Sequence, residues 1–447
     1  MSNQVYEAAM EMNKLNPLVK LIPNQKFTIV DKFQLECGEE LRNIPVAYTT
    51  WGNLNEERNN AMVICHALTG SSDVEDWWGP LLGSGRAFDF DRFFIICLNC
   101  LGSPYGTASP CTINPRTGEV YGPEFPLTTP KDDANLQKIV LDKMGIAQIA
   151  VVIGGSMGGM LALEYAYFGK GYVRSLILLA TCGEHSAWAI SWGEAQRQSI
   201  YSDPKYQEGY YSFDDPPNAG LGAARMSALL TYRTRNSFDS KFGRNIPDPL
   251  KHKGSDAPST DKADASDASS IKSNSSESSN AWNVHNHGLI NSKQPVSYRP
   301  SHVKNYFTAQ SYLRYQAQKF VQRFDANCYI AITRKLDTHD VSRGRTTTVE
   351  EALELIEQPT LVIGVSSDGL FTFTEQERLA EHIPNATLKE INSPEGHDAF
   401  LLEFELINDL ILEQLEKVLP EFMGGLEKKA CGETKESVFG ESSVVSW

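Results

Sequence analysis

A serine hydroxyl is a useful nucleophile near neutral pH only when a base takes its proton and a carboxylate orients that base. Three stretches of the 447-residue chain supply those residue types in order. VVIGGSMGGM, residues 151–160, holds Ser156 in the pattern G-x-S-x-G, with Gly154, Gly155, Gly158 and Gly159 around it. PTLVIGVSSDGLF ends an apolar run at Asp368, and INSPEGHDAFLLEF carries His397 between a strand-like and a helix-like stretch. The chemistry implied is acyl transfer through a serine ester, with Ser156 as nucleophile, His397 as base and Asp368 as the acid that orients it.

Each residue also has a plainer reading. Glycines ahead of a helix can cradle a phosphate, but neither G-K-[ST] nor a ribose-binding acid accompanies these. Asp368 is a good helix cap, and Asp337 and Asp340 are rival acids, both in helical context. Of the nine histidines, His285 and His287 border a polar tract, and His185, His302, His339 and His382 fall in helical stretches. His66, in ICHALTG, is the main rival of His397. It follows the third strand-like run, where the loop of a G-x-S-x-G protein supplies a backbone donor to the oxyanion. The expected donors are the N–H groups of Met157, just after the nucleophile, and of Leu68 or its neighbour.

Several elements must position these residues. AMVICHAL, RFFIICLNC, IAQIAVVIGG, VRSLILLAT and PTLVIGVSSD are short, near-continuous apolar runs, the pattern of strands in a parallel sheet covered on both faces. TPKDDANLQKIVLDKMG, with Thr or Asp to cap it and Gly145 to end it, predicts an intervening helix. FTIVDKFQLECGEELRNIPVAYTTWG predicts an antiparallel hairpin ahead of the parallel strands. The predicted class is α/β, an α/β-hydrolase fold with a mostly parallel central sheet, its core formed by 1–184 and 346–424. Residues 185–345 read as a helical lid. The lid carries a low-complexity insert at about 245–298, rich in Ser, Asp, Lys and Ala and expected to be disordered. Residues 425–447 read as a loosely ordered tail.

A net charge of -15 and a pI near 5.2 argue against nucleic acid or an anionic membrane as partner, since both need clustered Lys and Arg. No apolar run approaches the roughly 18 residues of a spanning helix. The opening MSNQVYEAAMEMNKLNPLVK lacks the basic end and apolar block of a secretion signal, so the expected location is cytoplasmic. Eight cysteines sit mostly inside apolar runs, as reduced, packed thiols do. Cys97 and Cys100 form a C-x-x-C without a second pair and read as structural, with no metal site expected.

HALTGSSDVEDWWGPLLG, NCLGSPYGTASP, YGPEFPLTT, GGSMGGM, ARMSALLTYRTR, SDGLF and SPEGHDAFLLE together resemble homoserine O-acetyltransferases, α/β-hydrolase-fold acyltransferases of methionine biosynthesis. The resemblance spans nearly the whole chain, and the polar insert resembles that of the fungal members. It implies a two-step transfer: acetyl-CoA, a co-substrate, acetylates Ser156, and L-homoserine, deprotonated by His397, takes the acetyl group. It further implies Arg225 as partner of the homoserine carboxylate, Asp398 as partner of its ammonium, Tyr232 as a further hydrogen-bonding contact, no cofactor, and a homodimer. Without the resemblance, Arg225 reads as a solvated helix charge and Asp398 as a helix cap. The competing enzymatic readings are serine or a deacetylcephalosporin as acceptor, succinyl-CoA as donor, or a serine esterase on the same fold.

Overall fold

The computed structural model describes residues 3–246, 307–425 and 427–433. The insert expected to be disordered lies, but for its first two residues, outside them, as does most of the tail. The strands are β1 Lys26–Gln34, β2 Glu40–Trp51, β3 Ala61–Cys65, β4 Phe94–Leu98, β5 Ile149–Gly155, β6 Leu176–Leu179, β7 Thr360–Val365 and β8 Ala386–Ile391, the five apolar runs giving β3 to β7. They form one sheet in the order β1-β2-β4-β3-β5-β6-β7-β8. The expected hairpin is β1 against β2, antiparallel. β2 also runs antiparallel to β4, and β3 to β8 are parallel.

Every residue of β3, β5, β6 and β7 is buried, and successive residues serve opposite faces. Val63, Ile96, Val152 and Leu176 join one apolar cluster; Met62, Ile95, Val151 and Ile177 join the other. A strand wetted on neither face has no reason to alternate polar and apolar residues, hence the continuous runs. β8 is the exception: it closes one edge and is only partly buried up to Glu390, and its Lys389 and Glu390 suit an edge that must not pair further.

Helices cover both faces: α1 Asn3–Met12, α2 Val74–Trp78, α3 Pro130–Lys143, α4 Met157–Ala166, α5 Ala187–Tyr201, α6 Asn218–Tyr232, α7 Arg235–Phe242, α8 Thr308–Val321, α9 Ala326–Asp337, α10 Val349–Glu354, α11 Phe373–His382, α12 Phe404–Val418 and α13 Pro420–Met423. α3 starts as its sequence predicts, with Pro130 in the first turn and a reciprocal capping box between Thr129 and Asp132. None of the helices among the described residues is long and apolar enough to cross a membrane.

α5 to α9 are inserted between β6 and β7. The chain enters and leaves this insertion side by side: His185 N–H donates to His339 O, and Val341 N–H to Gly183 O, each at 2.9 Å. Lys335 of α9 is fully buried and fastens the insertion to the core, with Nζ on the Asp133 carboxylate and donating to Leu101 O at 2.7 Å. α7 and α8 meet where Thr308 N–H donates to Asn245 O at 2.9 Å and the Arg244 guanidinium lies 5.0 Å from the Phe307 ring centre. Of the tail, Lys429 N–H donates to Gly85 O and Gly432 N–H to Pro80 O, both at 2.9 Å.

Candidate active site

Ser156 stands at the turn between β5 and α4 with φ +56° and ψ −125°, a strained conformation costing about 1–3 kcal/mol that the surroundings must hold. Ser156 N–H donates to Leu179 O at 2.9 Å, and Ser156 O accepts from Thr181 Oγ1 at 2.9 Å and from the Gly159 and Met160 N–H groups. The glycines serve space rather than torsion. A Cβ on Gly154 would lie 2.0 Å from Gly158 O, and one on Gly158 would lie 2.1 Å from Cys65 O. Strand, helix and the end of β3 converge here too closely for any side chain.

Asp368 follows β7 and His397 follows β8, so the three groups sit beyond the C-terminal ends of parallel strands, where open α/β sheets place their sites. His397 Nε2 is 2.9 Å from Ser156 Oγ, and Nδ1 is 2.7 Å from Asp368 Oδ2. Asp368 Oδ1 accepts the N–H groups of Leu370 at 2.8 Å and Phe371 at 2.9 Å. The imidazole is enclosed by Phe371 and Phe400, with ring centres 5.1 and 5.3 Å away. Chemically, the arrangement is one that can pass a proton from Ser156 to His397, with Asp368 placed to fix the tautomer that accepts it.

Burial of His397 opposes its protonation, but the charge and hydrogen bond of Asp368, aided by Asp398 and Glu375, outweigh it and hold the imidazole above its ordinary 6.5. The neutral form is the base. Acyl-enzyme formation is therefore expected to be full at alkaline pH and to fall as pH drops, with its midpoint above 6.5. Single-turnover rates across pH 5–9 measure that midpoint; a value below about 6 would contradict the assignment.

The rival groups are otherwise engaged. His66 Nε2 accepts the Cys100 N–H at 3.0 Å and its Nδ1 pairs with Ala67 O at 2.8 Å; burial pushes its pKa down to about 4. Asp337 pairs with Arg197 at 2.8 Å, and Asp340 accepts from Ser342. His185 and His339, expected within helices, instead lie in the paired segments at the neck of the insertion, because Ser186 caps α5 only after His185 and α9 ends before His339.

Ser156 and His397 open into a cavity roofed by the inserted helices, and Leu68, Arg225, Tyr232 and Asp398 line it. Met157 opens α4, so its N–H is among the first of a helix and has no intrahelical acceptor. Arg225, far from being a solvated charge, is only 3% exposed, its guanidinium 5.0 Å from the Phe320 ring centre and 5.8 Å from that of Tyr232. Asp398 is equally buried and lies in the 3-10 turn Gly396–Leu401 that carries His397. The Tyr232 and His397 ring centres are 6.0 Å apart. Sequence reasoning gave no role to Arg233, buried beside Asp398 with Nη1 at 3.8 Å from Oδ2; its only sequence signal is its place in ARMSALLTYRTR.

Cys97 and Cys100 are buried, and the Cys97 thiol donates to Ser71 O at 3.7 Å. Among the described residues, one group of metal-ligand types, Cys111, Asp325 and Cys328, has its ligand atoms within 4.8 Å of one another. Both Asp325 oxygens there have protein donors: Oδ1 takes the Cys328 N–H as the cap of α9, and Oδ2 takes the Tyr211 hydroxyl at 2.6 Å. Burial raises both thiols, so the cluster acts as a helix cap joined to a packed thiol pair.

A family described as alpha/beta hydrolase fold matches residues 60–404. The homoserine O-acetyltransferase of Ascobolus immersus is 54% identical over 97% of this chain and 95% of its own. Among solved structures, the homoserine O-acetyltransferase from Bacillus anthracis shares the fold at a TM-score of 0.69 and 22% identity, covering 91% of this chain and 99% of its own. Esterase E22 does so at a TM-score of 0.69 and 24% identity, over 88% and 99% respectively.

Proposed function

Because the chain belongs to the homoserine O-acetyltransferase family, built on the α/β-hydrolase fold, we propose that it moves the acetyl group of acetyl-CoA to the hydroxyl of L-homoserine through an ester on Ser156. In the first half-reaction Ser156 Oγ gives its proton to His397 Nε2 and attacks the thioester carbonyl. The oxyanion is held by the N–H groups of Met157 and Leu68. CoA leaves as the thiol, taking the proton from His397. In the second half, the homoserine hydroxyl gives its proton to His397 and attacks the ester, and Ser156 regains the proton as it departs. The products, O-acetyl-L-homoserine and CoA, fit a step of methionine biosynthesis, and no cofactor is called on.

The observation that carries this reading is the hydrogen-bonded series Ser156, His397, Asp368 opening into the same cavity as a buried Arg225 and a buried Asp398. A planar guanidinium suits the acceptor's carboxylate, and a carboxylate suits its ammonium. The inserted helices act as a lid that keeps water from the acetyl-enzyme. Pairing of two copies through this insertion belongs to the same proposal, with Trp188 on α5 and Leu230 on α6 as exposed apolar side chains available for it.

CoA release from acetyl-CoA, followed with a thiol reagent with and without L-homoserine, tests the proposal alongside intact-mass detection of the acetylated protein. One acetyl group per chain, with turnover only when homoserine is present, is the expected result. Equal consumption without homoserine makes water the acceptor; a strong preference for serine, a deacetylcephalosporin or succinyl-CoA would change the substrate and keep the mechanism. Arg225→Ala is expected to leave acetylation within about threefold of the parent and to lower kcat/KM for homoserine by roughly a hundredfold, the loss of a buried bidentate contact.

A further inference from the structure

A second charged cluster adjoins the base. Arg233 follows the last residue of α6 and is buried. Its Nη2 contacts the Glu395 carboxylate and donates to Ser237 Oγ at 3.1 Å, and Ser237 Oγ donates to Glu395 Oε2 at 2.8 Å. Its Nη1 stands 3.8 Å from Asp398 Oδ2. One guanidinium therefore reaches acids on both sides of His397 in the chain. Further contacts hold the same loop. Thr234 Oγ1 donates to Pro394 O at 2.5 Å, and a Cβ on Gly396 would lie 2.7 Å from Tyr232 O. From the other side Gly396 N–H donates to Ser367 Oγ at 3.0 Å, next to Asp368. The loop bearing the base is thus gripped between the acid's loop and the junction of α6 with α7.

At 3.8 Å the Arg233–Asp398 contact is Coulombic rather than a hydrogen bond. Two charges this buried are favourable neighbours, and removing the guanidinium takes away the positive charge that faces Asp398 Oδ2. Glu395 fixes the guanidinium, and the guanidinium fixes where Asp398 can stand. We propose that Arg233, held in place by Glu395, is a positioning residue which, through Asp398, sets capture of the acceptor's ammonium. The inference rests on the acceptor reading above. An acid already aimed before the acceptor arrives loses less on binding than one that must be ordered by it.

The test compares L-homoserine with 4-hydroxybutanoate, which lacks the amino group, as acceptors for the parent, Arg233→Met and Arg233→Lys, with acetylation by acetyl-CoA measured separately. The parent is expected to prefer homoserine by about a hundredfold or more. In Arg233→Met that preference shrinks by about tenfold, mainly through a higher KM for homoserine, while acetylation stays within about threefold. Arg233→Lys, which keeps the charge without the fork, falls between. In an Asp398→Asn background, Arg233→Met lowers the preference no further. An unchanged preference, or an equal fall in both half-reactions, overturns the inference and leaves the acyl-transfer reading intact. A parent that is acetylated yet uses neither acceptor overturns the acceptor reading and the inference with it. Should Arg233→Met fail to fold, Arg233→Lys carries the comparison on the same criteria.

Discussion

Ser156→Ala is expected to yield no acetylated protein and to lower turnover by on the order of 10⁵-fold, about 7 kcal/mol of transition-state stabilisation. The whole loss falls on one atom. Ser156 Oγ is the group that faces His397 Nε2 at 2.9 Å, and without it the base has a proton acceptor's position but no nucleophile to activate. Alanine keeps the Cβ, and the backbone bonds from Leu179, Thr181, Gly159 and Met160 that enforce φ +56° do not involve the hydroxyl. The fold and the cavity should therefore persist, with Arg225 and Asp398 in place. Intact mass after incubation with acetyl-CoA, CoA release, and calorimetric titration with homoserine measure the three consequences. Full turnover in this variant would sink the mechanism, whereas lost turnover with retained homoserine binding is the expected pattern.

Asp368→Asn is expected to cost roughly 10⁴-fold in kcat with little change in stability. The reason is local. Asp368 Oδ1 accepts two backbone N–H groups, those of Leu370 and Phe371, so an asparagine at this position keeps its oxygen there and turns its NH₂ toward His397 Nδ1. That nitrogen must then accept, which moves the imidazole proton to Nε2, the atom that has to take the proton from Ser156. A side chain of the same shape thus selects the wrong tautomer. The burst of CoA release should vanish while thermal unfolding stays within about 1 kcal/mol of the parent. A burst of near-parental rate would mean that Asp368 does not orient the base.

What was legible in the sequence and what was not divides along contact distance. The strands were readable because burial on both faces leaves its mark within five or six consecutive residues, as in AMVIC or TLVIGV. The elbow was readable because Gly154, Ser156 and Gly158 belong to one local turn. The order Ser156, Asp368, His397 was readable because each follows a strand. The charged side chains were not legible from spacing: Arg225 and Asp398 come only through the family resemblance, and Arg233 not at all. Arg225 looks like a helix-surface cation until Phe320, far along the chain, is seen to cover it, and Arg233 depends on Glu395 and Asp398, more than 150 positions away. His66 lost its standing as a base to the Cys100 N–H, a donor that no spacing rule supplies. Periodicity records a residue's neighbours along the chain, and a buried ion pair has none there.

The hydrogen bond from Thr308 to Asn245 bears on how such a chain can change over evolutionary time. It joins two positions separated by 62 residues of sequence, 246–307. The entropy of closing a segment between fixed ends grows only with the logarithm of its length, about 0.6 kcal/mol for each doubling. A difference in length between two ends joined in this way therefore costs about as little as an ordinary surface substitution, and the Thr308–Asn245 bond itself fixes where α7 meets α8. The junction of α7 with α8 is thus one place where chains of this fold can differ in length without disturbing the cavity that the inserted helices roof.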